Sequence, residues 1–288
     1  MTTLVTGATG NVGRIVVTQL VEAGDQVRAM TRTPRSARFP AGVDVVPGDL
    51  DDPSTLAAAL HGVDRMYLFP VAATAPEVVR RAKQAGVRRI VVLSSGAVTG
   101  GYDTDFHLPV ERAVEDSGLE WTHVRPGEFM LNKLWLWGPS IRTESVVHEA
   151  FPDVAWCPVH ERDIAGVATA ALREDGHHGK AYDLNGPELL TCRQQVDAIA
   201  AAIGRPVRLD VVTAEQAREI YREQGGFAAD NADFLLGFED YSGGESEPED
   251  RAELDLGAEW PLPTSEQVTG RPARTFLQWA HDHAAELS

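Results

Sequence analysis

The stretch TDFHLPVERAVEDSG, residues 104–118, sets His107 and Glu111 four residues apart in a segment of helical periodicity, on one face and one turn from each other. Imidazole titrates at about pH 6.5, and a nearby carboxylate can orient the ring or raise its pKa. Such a pair can move a proton at a substrate, supply half of a metal site, or serve as a structural or solvated pair. No metal is expected, because the other ligand types are badly spaced. His177 and His178 are adjacent, His281 and His283 stand two apart on a helical stretch and so diverge, and Cys157 and Cys192, the only cysteines, form no CxxC. Between proton transfer and pocket lining the pair itself does not choose.

Three glycines form the second chemically informative set. Gly7, Gly10 and Gly13 in VTGATGNVG, with Thr9, Asn11 and Val12 between them, join the apolar run TLVT to a helical pattern. At such a junction the backbone must turn tightly, approach a pyrophosphate closely and pack a helix on a strand, with the helix N-terminus facing the anion. Strand before and amphipathic helix after make dinucleotide binding the expected use, ahead of a merely structural turn. The next strand ends in Met30, Thr31 and Arg32, with Arg35 and Arg38 close behind. A site for NADH usually carries an Asp or Glu there on the ribose 2′-hydroxyl, whereas a guanidinium pairs with a 2′-phosphate. NADPH is therefore expected over NADH, with a plain surface arginine as the alternative.

The elements that hold these residues follow a rhythm. Val12, Ile15, Val16, Leu20 and Val21 recur at helical spacing before Gly24; then come QVRAMTR, VDVV, a helix from Pro53 to about His61, RMYLF, the helix APEVVRRAKQAG, RRIVVLSS, the helix at 107–117 and WTHVRPG. Apolar strands with little alternation, separated by helices, predict an α/β fold: a Rossmann-type doubly wound parallel sheet. Past about residue 135 the rhythm loosens. A helix with Asp163 as its N-cap, a last strand in KAYDLNGPELLT, a helix from Thr191 to Ile203, a strand PVRLDVV and two further helical stretches are expected. The acidic EDYSGGESEPED, residues 239–250, is expected as a mobile loop or an insertion, and RPARTFLQWAHDHAAEL as a last helix with Pro272 near its first turn. The predicted division is a cofactor-binding domain over 1–185, with 145–185 partly shared, and a smaller substrate-binding region over 186–288.

Composition narrows the function classes. A charge of −17 repels a phosphate backbone, so no nucleic-acid partner is expected. No apolar run approaches the roughly 20 residues that span a bilayer, and the N-terminus MTTLVTGATG lacks a leader pattern. Two cysteines build no disulfide framework, which fits a reducing cytoplasm. No membrane partner is expected.

The spacing GxxGxxG, together with GDLDDPSTLAAALHGVDRMYLF, AGVRRIVVLSS, SGLEWTHVRPGEFMLN, RDIAGVATAAL, YDLNGPELLT and TGRPARTFLQWAHDHA, resembles the NmrA-like atypical group of short-chain dehydrogenases/reductases, over nearly the whole chain. That resemblance implies Asp49 and Leu50 at the adenine edge, and Phe69, Pro70 and Val71 along the ribose. It also implies Ser94, Ser95 and Gly96, with Pro126 and Gly127, near the nicotinamide. The superfamily's usual proton relay is a Ser, then Tyr-x-x-x-Lys on the next helix. Counting from Ser95, the Tyr position falls at His107 and the Lys position at Glu111. Lys83, Lys133 and Lys180 are the only lysines, and none lies one turn after a tyrosine.

What the resemblance implies is an NADPH-dependent oxidoreductase passing hydride to a small quinone-like or conjugated aromatic acceptor, with Ser95, His107 and Glu111 as the candidate catalytic set. The alternatives are a sensor of the cofactor's redox state and a natural-product tailoring enzyme using the scaffold for reduction or rearrangement. Phe129, Met130, Asn132, Trp135 and Trp137 in GEFMLNKLWLWGPS are expected to wall the acceptor pocket, or else to bury a joint between the two parts. Arg125 is expected as a structural partner, and the chain as a monomer or homodimer.

Overall fold

The strands β1 (Thr2–Val5), β2 (Gln26–Thr31), β3 (Asp44–Pro47), β4 (Arg65–Leu68), β5 (Arg89–Leu93), β6 (Glu120–Pro126) and β7 (Lys180–Leu184) join into one sheet. Their order is β3-β2-β1-β4-β5-β6-β7, and every neighbouring pair is parallel. The computed structural model describes residues 1–240, 243–248 and 264–288. The chain runs from β1 to one edge through β2 and β3, then returns to build the other half from β4. The order therefore reverses between β1 and β4, and in open α/β sheets ligands bind beyond the carboxyl ends of the strands at that point.

Helices cover both faces, which is why the strands read as apolar runs. After α1 (Gly13–Glu22) in the chain come α2 (Ala75–Ala85) and α3 (Leu108–Glu115), which meet one face of the sheet. Val78, Val79 and Ala82 of α2 and Val110 and Val114 of α3 pack with Leu4, Met66, Leu68, Ile90 and Val92 of the strands. The helical spacing of those residues turns one stripe inward, burying roughly 1.5–3 kcal/mol of transfer energy per large aliphatic side chain. Pro76 starts α2, and Gly86, left-handed at φ 94°, ends it by donating its amide to Lys83. On the other face α1 packs against α4 (Glu161–Arg173), which also covers β4, β5 and β6.

These elements form one compact unit: 1–126, 161–184 and 264–271. A second comprises 127–160, 185–263 and 272–288. In it Val146–Glu149 pairs in parallel with Arg208–Val211, and Ala155–Trp156 pairs antiparallel with Leu190–Thr191. Three of its helices, α5 (Cys192–Ile203), α6 (Ala214–Gln224) and α7 (Phe276–Asp282), open with the same device. Thr191, Thr213 and Thr275 each accept an amide three residues on, and Gln194, Gln216 and Gln278 return the bond. Met130, Trp137, Val196, Ile199, Phe276, Trp279 and Leu287 form this unit's core.

Four expectations change. The units interleave rather than divide near 185, because the chain leaves the sheet at Pro126 and returns for α4 and β7. Asp163 lies inside the first turn of α4, which already begins at Glu161. The tail helix expected from about Pro272 starts instead at Phe276, since Thr275 can close a capping box and Pro272 cannot, and it ends at Asp282, with a separate short helix over Ala284–Leu287. The helix after Pro53 is a 3₁₀ turn, Pro53–Leu56, followed by Ala57–Leu60. Of the acidic segment, residues 241, 242, 249 and 250 lie outside the described residues, so the loop expected there is only partly covered. Its described part closes on itself through Asp240 N donating to Gly244 O at 2.8 Å.

Candidate active site

At the end of β1 Thr6 ties the two central strands together: its hydroxyl donates to Tyr67 O at 2.9 Å and accepts from Phe69 N at 2.8 Å. The turn that follows needs its glycines. Gly7 is left-handed at φ 56°, and a Cβ there would lie 3.0–3.1 Å from the Phe69 side chain. A Cβ on Gly13 would sit 2.2 Å from Gly7 O, so helix and turn are in backbone contact. Gly10 differs, since its Cβ would meet only Gly7 O at 3.1 Å and otherwise open space. The ladder of α1 begins with Arg14 N donating to Gly10 O at 3.1 Å. The amides of Asn11, Val12 and Gly13 thus stand outside it, at the electropositive end of a ten-residue helix. Open backbone, free amides and helix dipole fit a pyrophosphate.

The end of β2 fits the rest of a dinucleotide. Arg32 and Arg35 are exposed, and among the described residues no carboxylate pairs with either. Arg38 donates to the carbonyls of Arg35 and Ala37. Arg28, earlier on the strand, is committed elsewhere, to Asp44 at 2.7 Å and the carbonyl of His61 at 2.7 Å. Asp49 accepts the amide of Asp51 at 3.1 Å, and Leu50, buried behind it, receives the hydroxyl of Thr74 on its carbonyl at 2.7 Å. Phe69 is 42% exposed beside Gly7, Pro70 is buried, and Val71 packs toward α2.

At the ends of β5 and β6 the candidate catalytic residues part company. Glu111 is buried and turns into the fold. Arg125 grips it with two bonds, Nε to Oε1 at 2.9 Å and Nη2 to Oε2 at 2.6 Å, and Ser94 Oγ donates to Oε1 at 2.5 Å. Arg125 continues to Thr99 at 3.0 Å, and Thr99 to Asp183 at 2.5 Å, so the network laces β5, β6 and β7 together. Burial works against the Glu111 charge, but Arg125, His123 and Ser94 outweigh it and hold the carboxyl below its usual range. Ser95 accepts the amide of Ala97 at 3.2 Å and so starts the short helix Gly96–Thr99. Glu111, Glu115 and His123 bring ligand atoms within 4.8 Å of one another. A cation there would have to displace the Arg125 guanidinium, so the trio does not make a metal site.

His107 stands at the N-cap of α3, and its partner is Asp103, not Glu111. Nδ1 lies 2.5 Å from Asp103 Oδ2, while Oδ1 accepts the amides of Phe106 at 3.1 Å and His107 at 3.0 Å. Asp103 is 2% exposed. Phe106 sets its ring edge-on to the imidazole at 4.7 Å. Burial pushes the His107 pKa down; the Asp103 hydrogen bond and the charges of Asp103 and Glu111 push it back only in part. Asp103 itself is disfavoured as an anion by burial, yet His107 and the two amides keep it below the ordinary carboxylate value. The sequence reading missed Asp103. Its signal was an acid one turn before the histidine, in a segment that gave no helical reason to pair them.

In the second unit the expected pocket wall divides. Met130 and Trp137 are each 1% exposed and belong to the core, with Lys133 lying 4.3 Å over the Trp137 ring and paired with Glu128 at 2.7 Å. Core packing, not a substrate, accounts for these two. Phe129, Asn132 and Trp135 are half-buried. Phe129 bridges to Val159, Asn132 donates its amide to Phe129 O at 3.2 Å, and Trp135 tilts against Phe227 at 4.9 Å. Gly127 opens this unit, directly after Pro126 closes β6 in the first.

An all-parallel sheet with a glycine-built anion turn at its switch point defines a nicotinamide-dinucleotide-binding α/β protein. Residues 7–175 match the model of the NAD(P)H-binding family, and the chain belongs to that family. It is 38% identical to the (4-alkanoyl-5-oxo-2,5-dihydrofuran-3-yl)methyl phosphate reductase of Streptomyces griseus, over 98% of this chain and 97% of that one. Identity to the NAD(P)H azoreductase of Xenophilus azovorans is 35%, over 98% of each. The NADPH-dependent quinone oxidoreductase of Escherichia coli, solved with NADPH, superposes at a TM-score of 0.77 with 25% identity, over 98% of this chain and 99% of that one. The protein is an NAD(P)H-dependent oxidoreductase. Among the described residues no helix is long and apolar enough to cross a membrane.

Proposed function

We propose that the protein uses NADPH in preference to NADH to reduce a small, flat, electron-poor conjugated acceptor. The observation that carries the cofactor choice is the end of β2, where Arg32 and Arg35 are exposed without a carboxylate partner and no acidic residue takes the position that would repel a 2′-phosphate. Acceptor class is supported by chemistry that the names of the relatives share. An acyl dihydrofuranone, an azo group and a quinone each offer a conjugated electrophile to hydride.

Bound nicotinamide supplies the hydride. The chain's own part is to hold and orient: the amides of Asn11, Val12 and Gly13 and the open face of Gly10 take the pyrophosphate, and Arg32 and Arg35 the 2′-phosphate. The Glu111–Arg125–Ser94 network keeps the ends of β5 and β6 rigid beside them. Phe129, Asn132 and Trp135, half-buried in the second unit, remain the acceptor-facing candidates of that segment. Lacking the Tyr/Lys pair, the protein suits acceptors electrophilic enough to take hydride without prior protonation.

The test is to follow nicotinamide absorbance with NADPH or NADH against a panel of quinones, azo dyes and acyl dihydrofuranones. Oxidation of NADPH by at least one class, faster than of NADH, is the expected result. Tight NADPH binding with no oxidation by any acceptor would overturn the reading in favour of a sensor of the cofactor's redox state.

A further inference from the structure

We infer that Asp103 and His107 form one proton-transferring unit that takes the place of the superfamily's tyrosine and lysine, with Asp103 as the positioning residue and Nε2 of His107 as the atom offered to the acceptor. The inference rests on the reductase reading above.

The geometry leaves Asp103 no freedom. Oδ1 is held by two backbone amides and Oδ2 faces Nδ1 at 2.5 Å, so the carboxylate is fixed before the imidazole is oriented by it. An ionised carboxylate only accepts hydrogen bonds. Nδ1 must therefore carry a hydrogen, and the tautomer is set: any proton that His107 gains or gives is on Nε2. Among the described residues no group hydrogen-bonds Nε2. A histidine kept only for packing would have both nitrogens satisfied, or a neutral contact in place of an aspartate that is itself buried.

The surroundings agree. Phe106, directly before His107, is 54% exposed, and Tyr102, directly before Asp103, is 62% exposed, an uncommon state for two large rings in one short loop. Phe106 sets exposed apolar surface beside the imidazole, where a flat acceptor can rest. Glu111 is no rival orienter, since both of its oxygens belong to Arg125 and Ser94.

The step balances within the known reactants. Hydride addition breaks a π bond of the acceptor and leaves its electron pair on a carbonyl oxygen or a nitrogen. His107, as imidazolium, breaks its Nε2–H bond to protonate that atom, returns to the neutral Nδ1–H tautomer and regains a proton from solvent. Asp103 and Glu111 are the charged groups that face the ring, and both favour the imidazolium; burial opposes it and prevails. An acceptor that needs this proton is accordingly reduced more slowly as pH rises through a His107 pKa lying below 6.5.

Two measurements test it. Imidazole ¹⁵N resonances of the protein without added cofactor should show His107 as the Nδ1–H tautomer, and Asp103→Asn should lower its pKa further by removing the adjacent charge. An Nε2–H tautomer overturns the proposal. Turnover with NADPH is then compared for a quinone, whose reduced form must gain a proton, and a cationic triphenylmethane dye, which hydride alone neutralises. His107→Gln and Asp103→Asn should each slow quinone reduction by about 10²-fold and cut the quinone-to-dye rate ratio by about tenfold or more. Equal losses on both acceptors, or no loss on the quinone, overturn the proposal, with melting temperature confirming that the variants fold. A wild-type protein that reduces neither acceptor fails the reductase reading instead.

Discussion

Glu111 illustrates how far a residue's neighbours decide its chemistry. Spacing made it His107's partner; burial with a guanidinium made it part of the frame. Removing one member of such a pair leaves the other partly desolvated and unpaired. Glu111→Gln should therefore cost about 3 kcal/mol of unfolding free energy, read from urea denaturation. A loss below about 1 kcal/mol, as for an exposed pair, would contradict that role. At the other end of the site, Arg32→Ala combined with Arg35→Ala should weaken NADPH binding by about tenfold or more while leaving NADH affinity nearly unchanged. An unaltered NADPH-to-NADH ratio would remove the basis for the phosphate assignment. The glycine turn, the arginines after β2 and His107 could be singled out as candidates in the sequence because residue type and local spacing are local properties. Asp103 was not, since its role depends on a loop folding back so that one oxygen takes two amides and the other the ring.

Elements turn those residues into a site by limiting where backbone can go. Gly10 and Gly13 stand three apart in the same turn, yet their surroundings predict opposite outcomes. In Gly13→Ala the new Cβ would fall 2.2 Å from Gly7 O, so backbone must shift and the apo melting temperature should drop. In Gly10→Ala the Cβ enters open space apart from Gly7 O at 3.1 Å. That variant should melt close to wild type but lose most of the stabilisation that NADPH confers, as thermal shift with and without cofactor will show. The start of α5 was readable at Thr191, three residues before Gln194, because a capping box is a local bond. The same Thr-x-x-Gln spacing at Thr213 and Thr275 went unread, and Pro272 marked the expected start of the final helix instead. Asp163 misled the reading because a good capping residue also fits the first turn, where it favours the helix dipole.

For the whole molecule, burial of ionisable groups sets a response to pH. His107 and His123 have pKa values pushed by burial below 6.5, so the unfolded chain binds protons there that the folded protein does not. Their contribution is complete above pH 6.5 and is lost as pH falls from there through the lowered folded values. Glu111, held below its ordinary value of 4.5, contributes above that pH and loses its contribution as pH falls through the lowered folded value. Melting temperature should thus decline on acidification in two stages, the first before the carboxylates titrate. His123→Gln should flatten that first stage; an unchanged slope would argue against His123 as its source.

The sequence by itself determined the class of fold and marked the glycine turn after β1 as the candidate cofactor site, since strand and helix periods and glycine requirements are local properties. Tertiary structure alone decided that Met130 and Trp137 are core, that the chain's two units interleave, and that Asp103, not Glu111, holds His107. Those outcomes turn on which buried charge finds which partner and which apolar ring finds which neighbour, and such competition is settled only when distant segments meet.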